Sequence, residues 1–204
     1  MNNPVKESLA PAYTYLEYRQ IVSDFLKKGM SSGLQQSEEL TQYSLLNETR
    51  MNRLQKTIQL PLPIVSKLQS LRRKYIWLVI AEGWCGDAAQ LLPVFEKMAT
   101  VADNITLKIV FRDENESLIN LFLTNGSKSI PKLIVLDATT LDVLADFGPR
   151  PKAATELVAD YKKKHGVIDL EIKTQLQLWY FNDKGISTQN EVLALMEAVD
   201  AQAR

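Results

Sequence analysis

Residues 76–90 read Ile76-Trp77-Leu78-Val79-Ile80-Ala81-Glu82-Gly83-Trp84-Cys85-Gly86-Asp87-Ala88-Ala89-Gln90. Six apolar residues in succession suit a strand covered on both faces. The residues from Cys85 onward open a helix, so the chain hands a thiol from a strand to a helix start. Unpaired N–H groups and the helix dipole at that point favour a thiolate. Cys85 is the only cysteine in 204 residues. It is the candidate nucleophile, and no internal disulfide can form. The plain alternative is a small buried residue that only fills space.

Downstream of that junction, strands and helices alternate. A helix over Cys85–Val101 is followed by a strand at Thr106–Phe111 and a helix at Glu116–Thr124, closed by Asn125-Gly126. Strands at Lys132–Asp137 and Asp142–Phe147 are joined by a short turn. Gly148-Pro149-Arg150-Pro151 then leads into a helix over Lys152–His165, stopped by Gly166. The first two strands imply a right-handed parallel crossover, and the last two an antiparallel hairpin at the sheet edge. Leu91, Val94, Phe95 and Met98 are expected in the core.

Upstream, residues 1–74 read as helical. Helices are expected at Tyr15–Lys28 and Glu38–Ile58, the second carrying an apolar stripe of Leu40, Tyr43, Leu46, Met51, Leu54 and Ile58. Pro61 and Pro63 break the pattern, and Ile64–Lys74 resumes it, with Arg72-Arg73-Lys74 as a solvated last turn. After Gly166, Leu170, Leu176, Leu178, Trp179 and Phe181 supply an apolar helical face. A final helix is expected to begin at a Thr188-x-x-Glu191 capping box.

Composition narrows the function classes. Lys plus Arg and Asp plus Glu both total 24, so no global field draws in nucleic acid or an anionic membrane. No apolar run approaches the roughly 20 residues of a membrane span. The N-terminus lacks a basic region followed by an apolar one, and the lone cysteine fits a reducing compartment, so a cytoplasmic location is expected. His165 caps a helix C-terminus, which leaves a Cys–His hydrolase unsupported. One Cys and one His are too few ligands for a metal centre. Neither GxGxxG nor a Walker A loop is present.

The chain resembles the thioredoxin superfamily. Trp84-Cys85-Gly86 stands at the strand–helix junction, Pro93 falls where members carry a helix-kinking proline, and Ser129-Ile130-Pro131 stands where they carry a cis-proline loop. Gly148 matches a glycine near the family's active site. The wording Trp-Cys-Gly-Asp-Ala-Ala-Gln, with Arg112-Asp113-Glu114-Asn115, is similar to a bacterial branch with helical extensions. The resemblance implies an α/β thioredoxin-like fold, a central mixed sheet flanked by helices, over residues 60–166. Residues 1–59 and 167–204 are the N-terminal and C-terminal helical extensions.

Two departures bear on chemistry. Ala88 stands where the second sulfur belongs, preceded by Asp87 in place of the usual proline. The strand position of the family's proton-handling acid falls in Trp77–Ile80, which is wholly apolar. The first reading is monothiol thiol–disulfide exchange: Cys85 attacks a protein, peptide or low-molecular-weight disulfide, and an external thiol resolves the adduct. No cofactor is expected, with glutathione as the candidate co-substrate. Trp84, Gly86, Asp87, Ile130 and Pro131 would line the docking groove. Arg112 or Arg150 would bind a carboxylate, such as glutathione's. With Asp87 opposing the helix start, the Cys85 pKa is expected near the top of about 3.5–7.5 or slightly higher. The second reading is a redox-inactive peptide- or protein-binding module, its extra helices serving partner contacts or a homodimer. A more distant third is a transferase for glutathione-like substrates. The readings differ on whether the chain is an enzyme at all.

Overall fold

In a computed structural model describing residues 3–202, the strand Tyr75–Ala81 (β1) lies at the centre of a four-stranded sheet. From Trp77 to Ala81 none of its side chains is exposed, which accounts for an apolar run without alternation. β1 pairs in parallel with Ile105–Phe111 (β2), Tyr75 opposite Ile105. On its other side it runs antiparallel to Lys132–Asp137 (β3), with Tyr75 opposite Asp137. Val143–Phe147 (β4) closes the order β2-β1-β3-β4, its ladder shifted by an irregularity at Val135/Leu136. The edge of β2 is covered locally: Tyr13 and Ile109 exchange two backbone hydrogen bonds of 2.8 Å.

Nine helices surround this sheet among the described residues. They begin with Pro4–Leu9 (α1), Tyr15–Lys27 (α2), Glu38–Thr57 (α3) and Leu62–Gln69 (α4). Gly86–Thr100 (α5) follows β1, and the short Glu116–Ile119 (α6) follows β2. Lys152–His165 (α7), Leu170–Asp183 (α8) and Ile186–Ala201 (α9) complete the chain. α2 starts with a capping box, Thr14 accepting from the Glu17 N–H while the Glu17 carboxylate accepts from the Thr14 N–H. α7 ends at Gly166, whose φ of 77° closes the helix in a left-handed cap. α5 is buried around most of its circumference, between the sheet and α3, and Leu91, Val94, Phe95 and Met98 are fully covered.

Several sequence expectations are corrected. The helix expected at Glu116–Thr124 stops at Ile119; Thr124 instead turns back to Ser127 through two backbone bonds. The helix expected from Ile64 begins at Leu62 and takes in Pro63 at its second position, where the missing N–H has no helical partner to lose. That helix ends at Gln69, and Arg72 and Arg73 are paired with Asp200 and Asp137. The α8 face that packs inward is Ile172, Leu176 and Tyr180, a spacing of four; Leu170, Leu178 and Phe181 are exposed. α9 begins two residues before Thr188, which is itself buried, and Glu191 accepts the backbone N–H of Lys152 instead of closing a capping box.

Candidate functional site around Cys85

Cys85 is the N-cap of α5. Its Sγ accepts the Ala88 N–H at 3.4 Å, and its S–H points to the Ile130 carbonyl at 3.3 Å. The Ile130–Pro131 peptide is cis. Gly148, with φ 119°, lies so close to the Pro131 carbonyl that a Cβ there would overlap its oxygen. Only glycine fits this crossing of backbones.

The thiol is not the activated one expected from sequence. Burial pushes the Cys85 pKa up to about 12, and the Asp87 charge adds to the rise. The Ala88 and Asp87 N–H groups and Arg150 act in the opposite direction without overcoming it. Helix-start activation depends on a partly solvated sulfur, whereas Cys85 is only 7% exposed.

Asp87 and Arg150 come together. The carboxylate accepts from the Arg150 guanidinium at 2.7 Å and from the Tyr180 hydroxyl at 2.8 Å. Burial opposes the Arg150 charge, but Asp87 outweighs it and holds the guanidinium pKa above its ordinary value. The expected carboxylate clamp at Arg150 is thus occupied by a carboxylate of the same chain. Arg112 is also engaged: its Nε donates to Asp113 at 2.8 Å, and its guanidinium lies 4.8 Å from the Trp84 ring centroid.

Glu82, one residue past β1, is fully covered. Its carboxyl accepts from the Ser32 hydroxyl at 2.5 Å and the Asp113 N–H at 3.0 Å. Burial raises its pKa to about 7, against those two hydrogen bonds. The apolar stretch Trp77–Ile80 therefore holds no acid, but a buried acid follows it within two residues. The signal was a carboxylate next to Gly83 at the end of a fully buried strand.

The helices outside the α/β unit reshape this end of the sheet. Asn47 of α3 donates to the Gly83 carbonyl at 2.9 Å, and Ser32 accepts the Gly83 N–H at 2.8 Å. From α8, Gln177 accepts from Gln90 at 2.7 Å. Between α3 and α8 remains a cavity of about 580 Å³. Trp84, Cys85, Gly86 and Asp87 line it together with Arg150, whereas Ile130, Pro131 and Arg112 do not. Arg50 of α3 and Gln177 of α8 also line it; sequence reading missed both, because only the folded chain brings them to Gly86. No cluster of three or more His, Cys, Asp or Glu suited to a metal ion occurs among the described residues, and no helix there is long and apolar enough to cross a membrane.

No curated protein matches this sequence. A solved protein of unknown function from Pseudomonas aeruginosa is similar over 91% of this chain and 98% of its own, at 22% identity and a TM-score of 0.58. An HIV epitope-scaffold is similar over 91% of this chain and 99% of its own, at 22% identity and a TM-score of 0.57. At such identity these likenesses speak to the fold, helical extensions included. A family model described as thioredoxin matches residues 33–162, more than half of the sequence. With the mixed sheet, the Cys85 helix start and the Pro131 loop, this match means that the chain belongs to the thioredoxin family.

Proposed function

We propose that this protein is a binding module of the single-cysteine, helix-extended branch of its family, in which Cys85 rests as a neutral, hydrogen-bonded thiol. The observation carrying this reading is the Cys85 S–H directed at the Ile130 carbonyl, 3.3 Å away, on a sulfur whose pKa burial has raised to about 12. The thiol occupies an acceptor of the proline loop that an extended peptide would need. Ligand binding is thereby moved to the cavity between α3 and α8. In this reading residues 1–59 and 167–204 act as extensions that build a site, not as separate units.

Monothiol exchange remains the second reading, favoured by Cys85 bordering that cavity beside Trp84. There the Cys85 thiolate would attack a disulfide, form a new S–S bond and expel the other sulfur as a thiolate. An external thiolate would then attack the mixed disulfide and release Cys85.

One experiment separates the two. The protein is incubated with excess oxidised glutathione at pH 7.5 and followed by intact mass. The binding-module reading expects no adduct over hours, since about one sulfur in 10⁴ to 10⁵ is ionised at that pH. An adduct that forms within minutes and is released by reduced glutathione would overturn it in favour of exchange.

A further inference from the structure

The cavity above Cys85 has a chemical character that none of the thiol readings uses. Its volume of about 580 Å³ lies in the range that holds small molecules. Its α3 and α8 walls are apolar, through Leu40, Leu46, Ile172 and Leu176. At its mouth Leu46 is 45% exposed and Leu170 71% exposed, so apolar surface is left open to solvent there.

The charges inside are unequal. Arg150 and Asp87 neutralise each other. Glu39 and Lys173, of opposite sign, are exposed at the rim. Arg50 remains: half-buried, its guanidinium donates at 2.8 Å to the neutral amide oxygen of Asn47 and makes no ion pair among the described residues. Its terminal nitrogen lies 3.5 Å from where a Gly86 Cβ would stand, directly over the start of α5. Burial first, and then neighbouring Arg53, depress its pKa, so an anion at this point would relieve an existing cost. A guanidinium with free N–H groups matches the fork of a carboxylate.

We propose that this cavity binds a small amphiphilic carboxylate, with the charged end on Arg50 and the apolar body along Leu46, Ile172 and Leu176. The proposal rests on the binding-module reading and names its ligand class. Neither a cation nor a fully polar anion suits the same walls and charge.

The test is isothermal titration of the full chain with octanoate, butyrate, octylammonium and octanol. Octanoate is expected to bind one to one. Butyrate, four methylenes shorter, should bind roughly a hundredfold more weakly, and octylammonium at least about tenfold more weakly. Arg50→Met should weaken octanoate roughly tenfold to a hundredfold while leaving octanol unchanged. Arg50→Lys should restore part of the loss. Circular dichroism checks that each variant is folded. The proposal is overturned by no octanoate binding at millimolar concentration, by octylammonium binding equally well, or by indifference to Arg50. It is also overturned if sedimentation shows a stable dimer that excludes octanoate, since a second copy would then fill the groove. Rapid glutathionylation with octanoate binding intact would remove the redox-quiet reading alone; absent binding on an unreactive thiol would remove the ligand proposal alone.

Discussion

The Asp87 carboxylate and the Arg150 guanidinium meet at 2.7 Å, so the acid two residues from Cys85 is tied across the site rather than left free. One partner raises the thiol's pKa and the other lowers it, and burial adds the largest contribution. Asp87 stands second only to burial among the causes and Arg150 last, so the pair's balance on the sulfur is upward.

Replacing Asp87 with Asn tests that balance. The variant keeps an acceptor for Tyr180, removes the like charge and frees Arg150 to face the thiol. Alkylation of Cys85 by iodoacetamide at pH 8 is expected to speed up roughly tenfold. In the native chain the rate should climb steadily between pH 7 and 10 without a plateau, because the pKa of about 12 lies beyond that window. The variant should also lose roughly 3 kcal/mol of stability in urea titration, from an Arg150 charge left buried without its partner. An unchanged alkylation rate would mean that Asp87 has no electrostatic influence on the sulfur.

Glu82 should make stability fall as the solution becomes more basic. Its folded pKa of about 7 lies above the unfolded value of about 4.5. The associated stability is fully present below pH 4.5 and is lost as pH rises through 7. Over that window the loss is on the order of 3 kcal/mol. Glu82→Gln should flatten the dependence: between pH 5 and 8 its urea midpoint should move much less than that of the native chain. Parallel curves for the two proteins would refute the assignment.

What could be read from sequence follows the range of the interactions. β1 and β3 were legible because buried strands write continuous apolar runs, and α7 because Gly166 closes it locally. Cys85 and the Pro131 loop were legible as motifs. The state of the thiol was not, since it depends on the covering of the sulfur and on Ile130, 45 positions away. Glu82 depends on Ser32, 50 residues earlier, and Asp87 on Tyr180, 93 residues later. A local pattern carries no trace of such partners. The same reason explains Leu170, whose place in an apolar face was inferred from spacing while α8 packs through Ile172, Leu176 and Tyr180.

Gly148→Ala should be among the most damaging small changes in the chain. The added methyl meets the Pro131 carbonyl oxygen, and a φ of 119° is strained for any residue with a Cβ. A loss of about 3 kcal/mol or more is expected in urea titration. Gly126→Ala is the control: its φ of 76° is also positive, but nothing lies within 4 Å. It should cost only about 1–2 kcal/mol. Equal losses would mean that backbone strain alone acts at Gly148, without the crossing at Pro131.

The last helix should prove integral to the sheet, because Asp200 near its end gathers donors from Arg72, just ahead of β1, and from Tyr75 at its start. Its carboxylate accepts from the Arg72 N–H at 2.9 Å, the Arg72 guanidinium at 3.1 Å and the Tyr75 hydroxyl at 2.6 Å. Burial opposes its charge, but the hydrogen bonds from Tyr75 and Arg72 outweigh it and hold its pKa below the ordinary value. The stability it supplies is therefore present above the unfolded carboxylate pKa and lost as pH falls through the lower folded one. Asp200→Ala should cost roughly 3 kcal/mol at pH 7, since it leaves the Tyr75 hydroxyl buried without an acceptor. The deficit should shrink below pH 4, where the native carboxylate is itself being protonated. If α9 were only an appendage, the variant would fray it without moving the cooperative unfolding midpoint. A midpoint shift seen equally by far-ultraviolet circular dichroism and by fluorescence of Trp77, whose indole N–H reaches Met196 of α9 at 3.3 Å, would tie helix and sheet into one folding unit.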